Sequence, residues 1–249
     1  MIFDQAEFNL RCEWGIKGVS QLAPISDVVV IVDVLSFSTA TEIATNNGAI
    51  IYPYQWRDDS ALNYAKSVQA ELCKSRFSQD GYSLSPVSLA KIPAGTKLVV
   101  PSPNGSSLTL LTGKTPTIAG CLRNCEAVAK FAQKYGSRIA VIPAGEKWED
   151  GTLRPAFEDL IGAGAILSYL NGNLSPEAEI AVAAFQTCQK SLLRNLKKCS
   201  SGKELIAKGF ESDVELAADF NISNCVPLLI DNAYIKQIAT EGKNPNHHL

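Results

Sequence analysis

The run Asp27-Val28-Val29-Val30-Ile31-Val32 constrains this chain more than any other segment. Consecutive β-branched residues are stiff at χ1 and favour a strand, and the lack of polar alternation requires both faces to be covered. Such a strand belongs inside a sheet with helices on either side. It ends at Asp33, which sets a carboxylate at the strand's carboxyl end.

Shorter runs of the same kind recur at 49–52, 97–100, 116–119, 138–142 and 226–230. Helical stripes lie between them: 58–73 aligns Leu62, Ala65, Val68 and Leu72, and 124–135 aligns Val128, Phe131 and Tyr135. This alternation predicts an α/β fold, a layered α/β/α arrangement with a mostly parallel or mixed sheet, in which ligands bind outside the carboxyl ends of the strands. Two longer helical stretches, 155–170 and 177–198, follow without a strong strand between them. The second contains Cys188-x₅-Arg194, the spacing of a cysteine phosphatase loop, but the intervening residues continue a helical stripe instead of curling around an anion. The Ser/Gly/Pro-rich segment 75–96 has the length of a lid or binding loop. No repeat or linker divides the chain, so one domain is expected over 1–249, with its core at about 27–232.

Composition narrows the chemistry. The 249 residues are 46% apolar, enough for a substantial core. Lys plus Arg total 23 against 25 Asp plus Glu, a net charge of −2 that argues against nucleic-acid or anionic-membrane partners. Any anion site must be local. The two histidines, His247 and His248, both fall in the polar tail, so mechanisms that need a positioned imidazole are disfavoured and carboxylate, thiolate, amine or Mg²⁺ chemistry remains. An N-terminus with early acids, and the absence of an apolar run of about 18 residues, predict a cytoplasmic protein without a membrane span. The seven cysteines are scattered without a C-x-x-C pair and read as reduced, buried thiols.

Four strand ends carry polar residues that would converge in a parallel sheet. Asp33 suits a Mg²⁺ ligand or nucleophile, or simply a cap for the following helix. The turn Ser102-Pro103-Asn104-Gly105-Ser106 offers amides and hydroxyls to an anion, and equally suits a helix cap. Arg123, in Gly120-Cys121-Leu122-Arg123-Asn124, is a candidate anion clamp or an ordinary ion-pair partner. The segment from Pro143 to Asp159 supplies Glu146, Glu149, Asp150, Glu158 and Asp159 together with Arg154. Mg²⁺ needs only one or two such carboxylates, although acids in a first helical turn also complement the helix dipole.

In order, these segments resemble the 2-phosphosulfolactate phosphatase family, the ComB-like phosphatases. The resemblance is carried by Val32-Asp33-Val34-Leu35, Ser83-Leu84-Ser85-Pro86, Ser102-Pro103-Asn104-Gly105-Ser106, Gly120-Cys121-Leu122-Arg123-Asn124, Ile142-Pro143-Ala144-Gly145-Glu146 and Asp150-Gly151-x-Leu153-Arg154-Pro155-Ala156-x-Glu158-Asp159. The run 161–166 and the stretch from Asp213-Val214 through Cys225-Val226-Pro227 complete it. It implies a Mg²⁺-dependent hydrolase that releases sulfolactate and inorganic phosphate from a small anionic phosphorylated substrate, in coenzyme M biosynthesis. On this reading Asp33, Glu146 and Glu158 are catalytic, while Asp33, Glu158 and Asp159 hold the metal. Ser102, Asn104, Gly105 and Ser106 cradle phosphate, and Arg123 and Arg154 clamp the remaining anionic groups. Many members carry Arg where this chain has Ser36, which leaves two alternatives: a phosphatase of another small phosphorylated acid, or a non-catalytic anion-binding homologue. The residues set no oligomeric state, and a homo-oligomer is compatible with them.

Overall fold

The computed structural model describes residues 3–78 and 80–238; the two histidines lie outside them. The first half contains β1 (Leu10–Cys12), α1 (Gly15–Leu22), β2 (Val28–Val32), α2 (Phe37–Asn46), β3 (Ile50–Tyr54), α3 (Asp59–Ser67), β4 (Glu71–Leu72), α4 (Pro86–Leu89), β5 (Lys97–Pro101) and α5 (Gly105–Leu111). Then come β6 (Thr117–Gly120), α6 (Cys125–Ala132), β7 (Ile139–Pro143), the short pair β8 (Glu146–Lys147) and β9 (Leu153–Arg154), and α7 (Phe157–Leu167). The chain continues through α8 (Pro176–Cys188), α9 (Leu192–Lys198), α10 (Ser200–Ala207) and α11 (Glu211–Ala218) into β10 (Cys225–Ile230) and β11 (Ala233–Ile238).

Among the described residues nine strands form one sheet in the order β1-β7-β2-β6-β10-β11-β3-β5-β4. The β2 strand pairs in parallel with β7 on one side and β6 on the other, and all five of its residues are buried. Its alternate residues feed two cores. Val28, Val30 and Val32 join the apolar residues of α6, α7 and α8, whereas Val29 and Ile31 pack with Val19, Leu22 and Leu108. Helices on both faces explain why the run has no polar alternation.

The sheet is mixed. Antiparallel pairings at β6–β10, β10–β11 and β11–β3 reverse direction three times, so the parallel set β3, β5 and β4 runs opposite to β1, β7, β2 and β6. The β11 strand adds to the sheet beyond the expected core at 27–232. Its signal was the two-residue turn Asp231-Asn232, both at positive φ, a geometry that closes a tight hairpin. The expected helix over 58–73 stops at Ser67; Gln69 takes φ 54° and Glu71–Leu72 pair with β5. Ala61 and Ala65 face inward there and Leu62 outward, so the stripe has a different phase. The stretch 177–198 breaks at Gln189–Ser191 into α8 and α9. All seven cysteines are free thiols, five of them buried. Among the described residues no helix is long and apolar enough to cross a membrane.

Candidate active site

The turn after β2 is held by its own hydroxyls. Ser38 Oγ accepts the Asp33 amide at 2.9 Å and donates to the Ile31 carbonyl at 3.0 Å, while Thr39 Oγ1 donates to the Val34 carbonyl at 2.7 Å. The Asp33 carboxylate is thereby fixed at the strand end, 5% exposed. Its Oδ1 accepts the Phe37 amide at 3.1 Å, the helix-capping role, and its Oδ2 accepts the Gly105 amide at 2.9 Å. Each carboxylate oxygen keeps a further acceptor position.

Three more acids gather around it. Asp159, in the first turn of α7, accepts the Val34 amide through Oδ1 at 2.8 Å and the Gly145 amide through Oδ2 at 2.9 Å, fastening the exits of β2 and β7 together. Gly145 has φ +68°, and a Cβ there would lie 2.7 Å from Leu153 Cδ1. Glu146 in β8 accepts the Asn104 Nδ2–H at 2.8 Å through Oε2. Glu158 is buried, and its Oε2 has no hydrogen-bond partner.

These carboxyls shift one another. Burial pushes Asp33 up to about 6 against the pull of the Phe37 and Gly105 amides, and the Glu158 charge adds to the rise. Burial and then the Asp33 charge push Glu146 up to about 7. Asp159 is raised well above the usual carboxylate range by burial, with Asp33 and Glu158 contributing. Crowded anions of this kind disfavour their own charged forms unless a cation joins them.

The donor set suits Mg²⁺ on one specific ground: the unpartnered, buried Oε2 of Glu158 beside Asp33, whose oxygens are only half used. No group of three or more acidic, histidine or cysteine side chains among the described residues is arranged to enclose an ion. Mg²⁺ does not need one, since two carboxylates with water and substrate oxygens complete its shell.

The other expected residues divide. The Ser102–Ser106 turn does reach Asp33, but not as a shared parallel strand end, because β5 runs opposite to β2. It grips the carboxylate instead of presenting an empty cradle. The Gly105 amide is taken by Asp33, the Ser106 hydroxyl by the Val100 carbonyl at 2.7 Å, and the Ser102 hydroxyl accepts the Asn104 amide at 3.3 Å. Arg123 is a correction. Its Nε donates to Glu42 at 2.7 Å and its Nη1 to Asp219 and the Leu216 carbonyl, both at 2.9 Å. The α2 helix is buried over nearly its whole circumference, so Glu42 at 0% exposure requires an internal counter-charge, and Arg123 supplies it. Arg154 lies opposite Glu146 in the β8–β9 pair and donates to Ser201 Oγ at 3.1 Å. It lines a groove of about 360 Å³ with Phe157, Asn195, Lys198 and Cys199. Burial and then the Glu158 charge push the Cys199 thiol up to about 12, placing this groove next to the acids. A second pocket, of about 140 Å³, touches Asn104 and Glu146 from the side of Trp14, Lys17 and Leu153.

Sequence reasoning missed Arg76. From the 75–96 segment it reaches Ser36 and Asp213, with Nη2 donating to Ser36 Oγ at 2.6 Å and Nη1 donating to Asp213. Asp213 also accepts the Ser85 hydroxyl at 2.5 Å and the Val87 amide at 3.3 Å. No local pattern announces contacts that span 137 positions of sequence.

A sequence model of 2-phosphosulpholactate phosphatase matches residues 17–232. A protein of Methanothermobacter thermautotrophicus named 2-phosphosulfolactate phosphatase is 33% identical over 138 residues, which cover 55% of this chain and 58% of that relative. Proteins named probable 2-phosphosulfolactate phosphatase are similar over greater lengths: that of Pseudothermotoga lettingae is 25% identical over 86% of this chain and 95% of its own, and that of Thermotoga maritima 28% identical over 86% and 96%. The chain belongs to the 2-phosphosulfolactate phosphatase family.

Proposed function

We propose that this member of the family is a Mg²⁺-dependent phosphatase that hydrolyses 2-phosphosulfolactate to sulfolactate and inorganic phosphate. The observation that carries the reading is Asp33: a buried carboxylate, fixed by one amide on each oxygen, at the end of the interior strand β2 and ringed by three more acids. With no histidine among the described residues, we assign the acid–base work to carboxylates. Asp33 and Glu158 would hold Mg²⁺, with Asp159 fixing the frame behind them. The ion, when bound, neutralises phosphoryl oxygens and favours attack by water.

The chain's own residues do the rest. Glu146, pushed up to about 7, holds a proton near neutrality. Its Oε2 is occupied by Asn104, so Oε1 is the atom that delivers this proton to the sulfolactate oxygen as the P–O bond breaks. Water supplies the oxygen that joins phosphorus, and its proton passes to a carboxylate of the cluster. Asn104 positions Glu146, the turn at Ser102–Ser106 positions Asp33, and Arg154 faces the anionic substrate from β9. Phosphate release from 2-phosphosulfolactate, with and without Mg²⁺, tests the reading. Release that depends on both substrate and metal supports it, and inactivity with the ion supplied removes it.

A further inference from the structure

We propose that Arg76 is a specificity-determining residue that binds the acidic substituent, carboxylate or sulfonate, carried by the substrate beside its phosphate. The inference rests on the phosphatase reading for the substrate's identity, but its geometry is independent of it. Arg76 projects from a loop whose base is closed by the Lys74 amide donating to the Tyr82 carbonyl at 2.7 Å. Its side chain is 17% exposed. It donates to Ser36 Oγ, three residues beyond Asp33, and its charge acts on the Asp33 carboxyl.

The guanidinium has five N–H donors, and side chains engage two of them, one on each terminal nitrogen. Asp213 takes only one, because its other oxygen accepts from Ser85 and Val87. A largely buried cation with open donors, oriented on two sides and stacked 5.6 Å from the Phe210 ring, is prepared for a planar or trigonal oxyanion. Arg123, by contrast, is held by two carboxylates, Glu42 and Asp219, whereas Arg76 meets one, Asp213. The acids around Asp33 would repel a multiply anionic substrate, so a cation on the Asp33 side is required in addition to the metal. A Lys could match the charge at position 76 but not the fixed fork.

Titration calorimetry in Mg²⁺ buffer, using sulfolactate and inorganic phosphate as separate probes, tests this on the wild type, Arg76→Met and Arg76→Lys. Sulfolactate affinity should fall roughly 10- to 100-fold in Arg76→Met, the loss of one or two charged hydrogen bonds. It should fall less in Arg76→Lys, while phosphate affinity changes by less than about threefold, since its contacts lie elsewhere. Equal losses for both probes, no loss for sulfolactate, or a wild type that binds neither would overturn the proposal. Thermal melts report folding; if Arg76→Met does not fold because Asp213 loses its partner, Arg76→Lys carries the test. Turnover is measured separately. Arg76-dependent sulfolactate binding without phosphate release would remove the phosphatase reading alone, and turnover with Arg76-independent binding would remove this inference alone.

Discussion

The Asp33 carboxylate and the Gly105 amide meet at 2.9 Å, joining the exit of β2 to the turn after a strand that runs the other way. The contact sets the position of the site's central acid from two sides of the sheet. It also fixes what residue 105 can be, since a Cβ there would lie 2.2 Å from Phe37 Cδ1 and 2.8 Å from Asp33 Oδ2.

Gly105→Ala should therefore lower stability by about 1–3 kcal/mol, the usual range for overpacking, and reduce kcat by displacing Asp33. Denaturant melts and steady-state kinetics check both. A variant with wild-type stability and kcat would show that the turn yields without moving the acid.

Glu146→Gln should reduce kcat by roughly 10²- to 10⁴-fold, the scale of a lost proton donor. The pH profile carries the sign. The proposed roles have Asp33 ionised and Glu146 protonated, so with Mg²⁺ bound kcat/KM should fall in acid as the cluster takes up protons and fall again as pH rises and Glu146 loses its own, and the alkaline limb should disappear in Glu146→Gln. An alkaline limb that persists in the variant would assign the proton donor elsewhere.

Stability should follow pH in the opposite sense from most acid-rich sites. Asp33, Glu146 and Asp159 are all raised, so the folded state binds more protons than the unfolded chain between the usual carboxylate range and about 7. The contribution of Asp33 and Glu146 is then present in acid and lost as pH rises through 6 to 7, and Asp159 acts in the same direction. Melts of the metal-free protein should show this decline in the wild type and a shallower one in Glu146→Gln, and added Mg²⁺ should flatten it. An identical slope with and without the ion would argue against a cation among these carboxylates.

Arg123→Met should cost about 3–5 kcal/mol, because it leaves the buried Glu42 carboxyl without its counter-charge, and Arg123→Met with Glu42→Gln should recover part of that loss. Sulfolactate affinity of the folded protein should be unchanged. A weakened affinity at full stability would restore Arg123 to the binding site.

Local physics explains which features were readable. The β2 run was legible as an interior strand because five β-branched residues admit little else, and Asp33, Glu146, Glu158 and Asp159 stood out as acids at strand and helix ends. The direction of β5 was not readable, since it is set by the β10–β11 hairpin far along the chain. The role of Arg123 depended on Glu42, which its neighbours make look like one polar position of an ordinary helix until α2 proves to be buried almost all round. Arg76 was invisible for a similar reason: its partners Ser36 and Asp213 are assembled only by the fold.

The most direct measurement is phosphate release from 2-phosphosulfolactate by the wild type and by Asp33→Asn, each assayed after chelation and after Mg²⁺ is restored. Turnover is expected in the wild type only with the ion, and a loss of at least about 10²-fold in Asp33→Asn with the fold retained, the scale of a lost electrostatic contact at the reacting group. Full Mg²⁺-dependent turnover in Asp33→Asn would contradict the account.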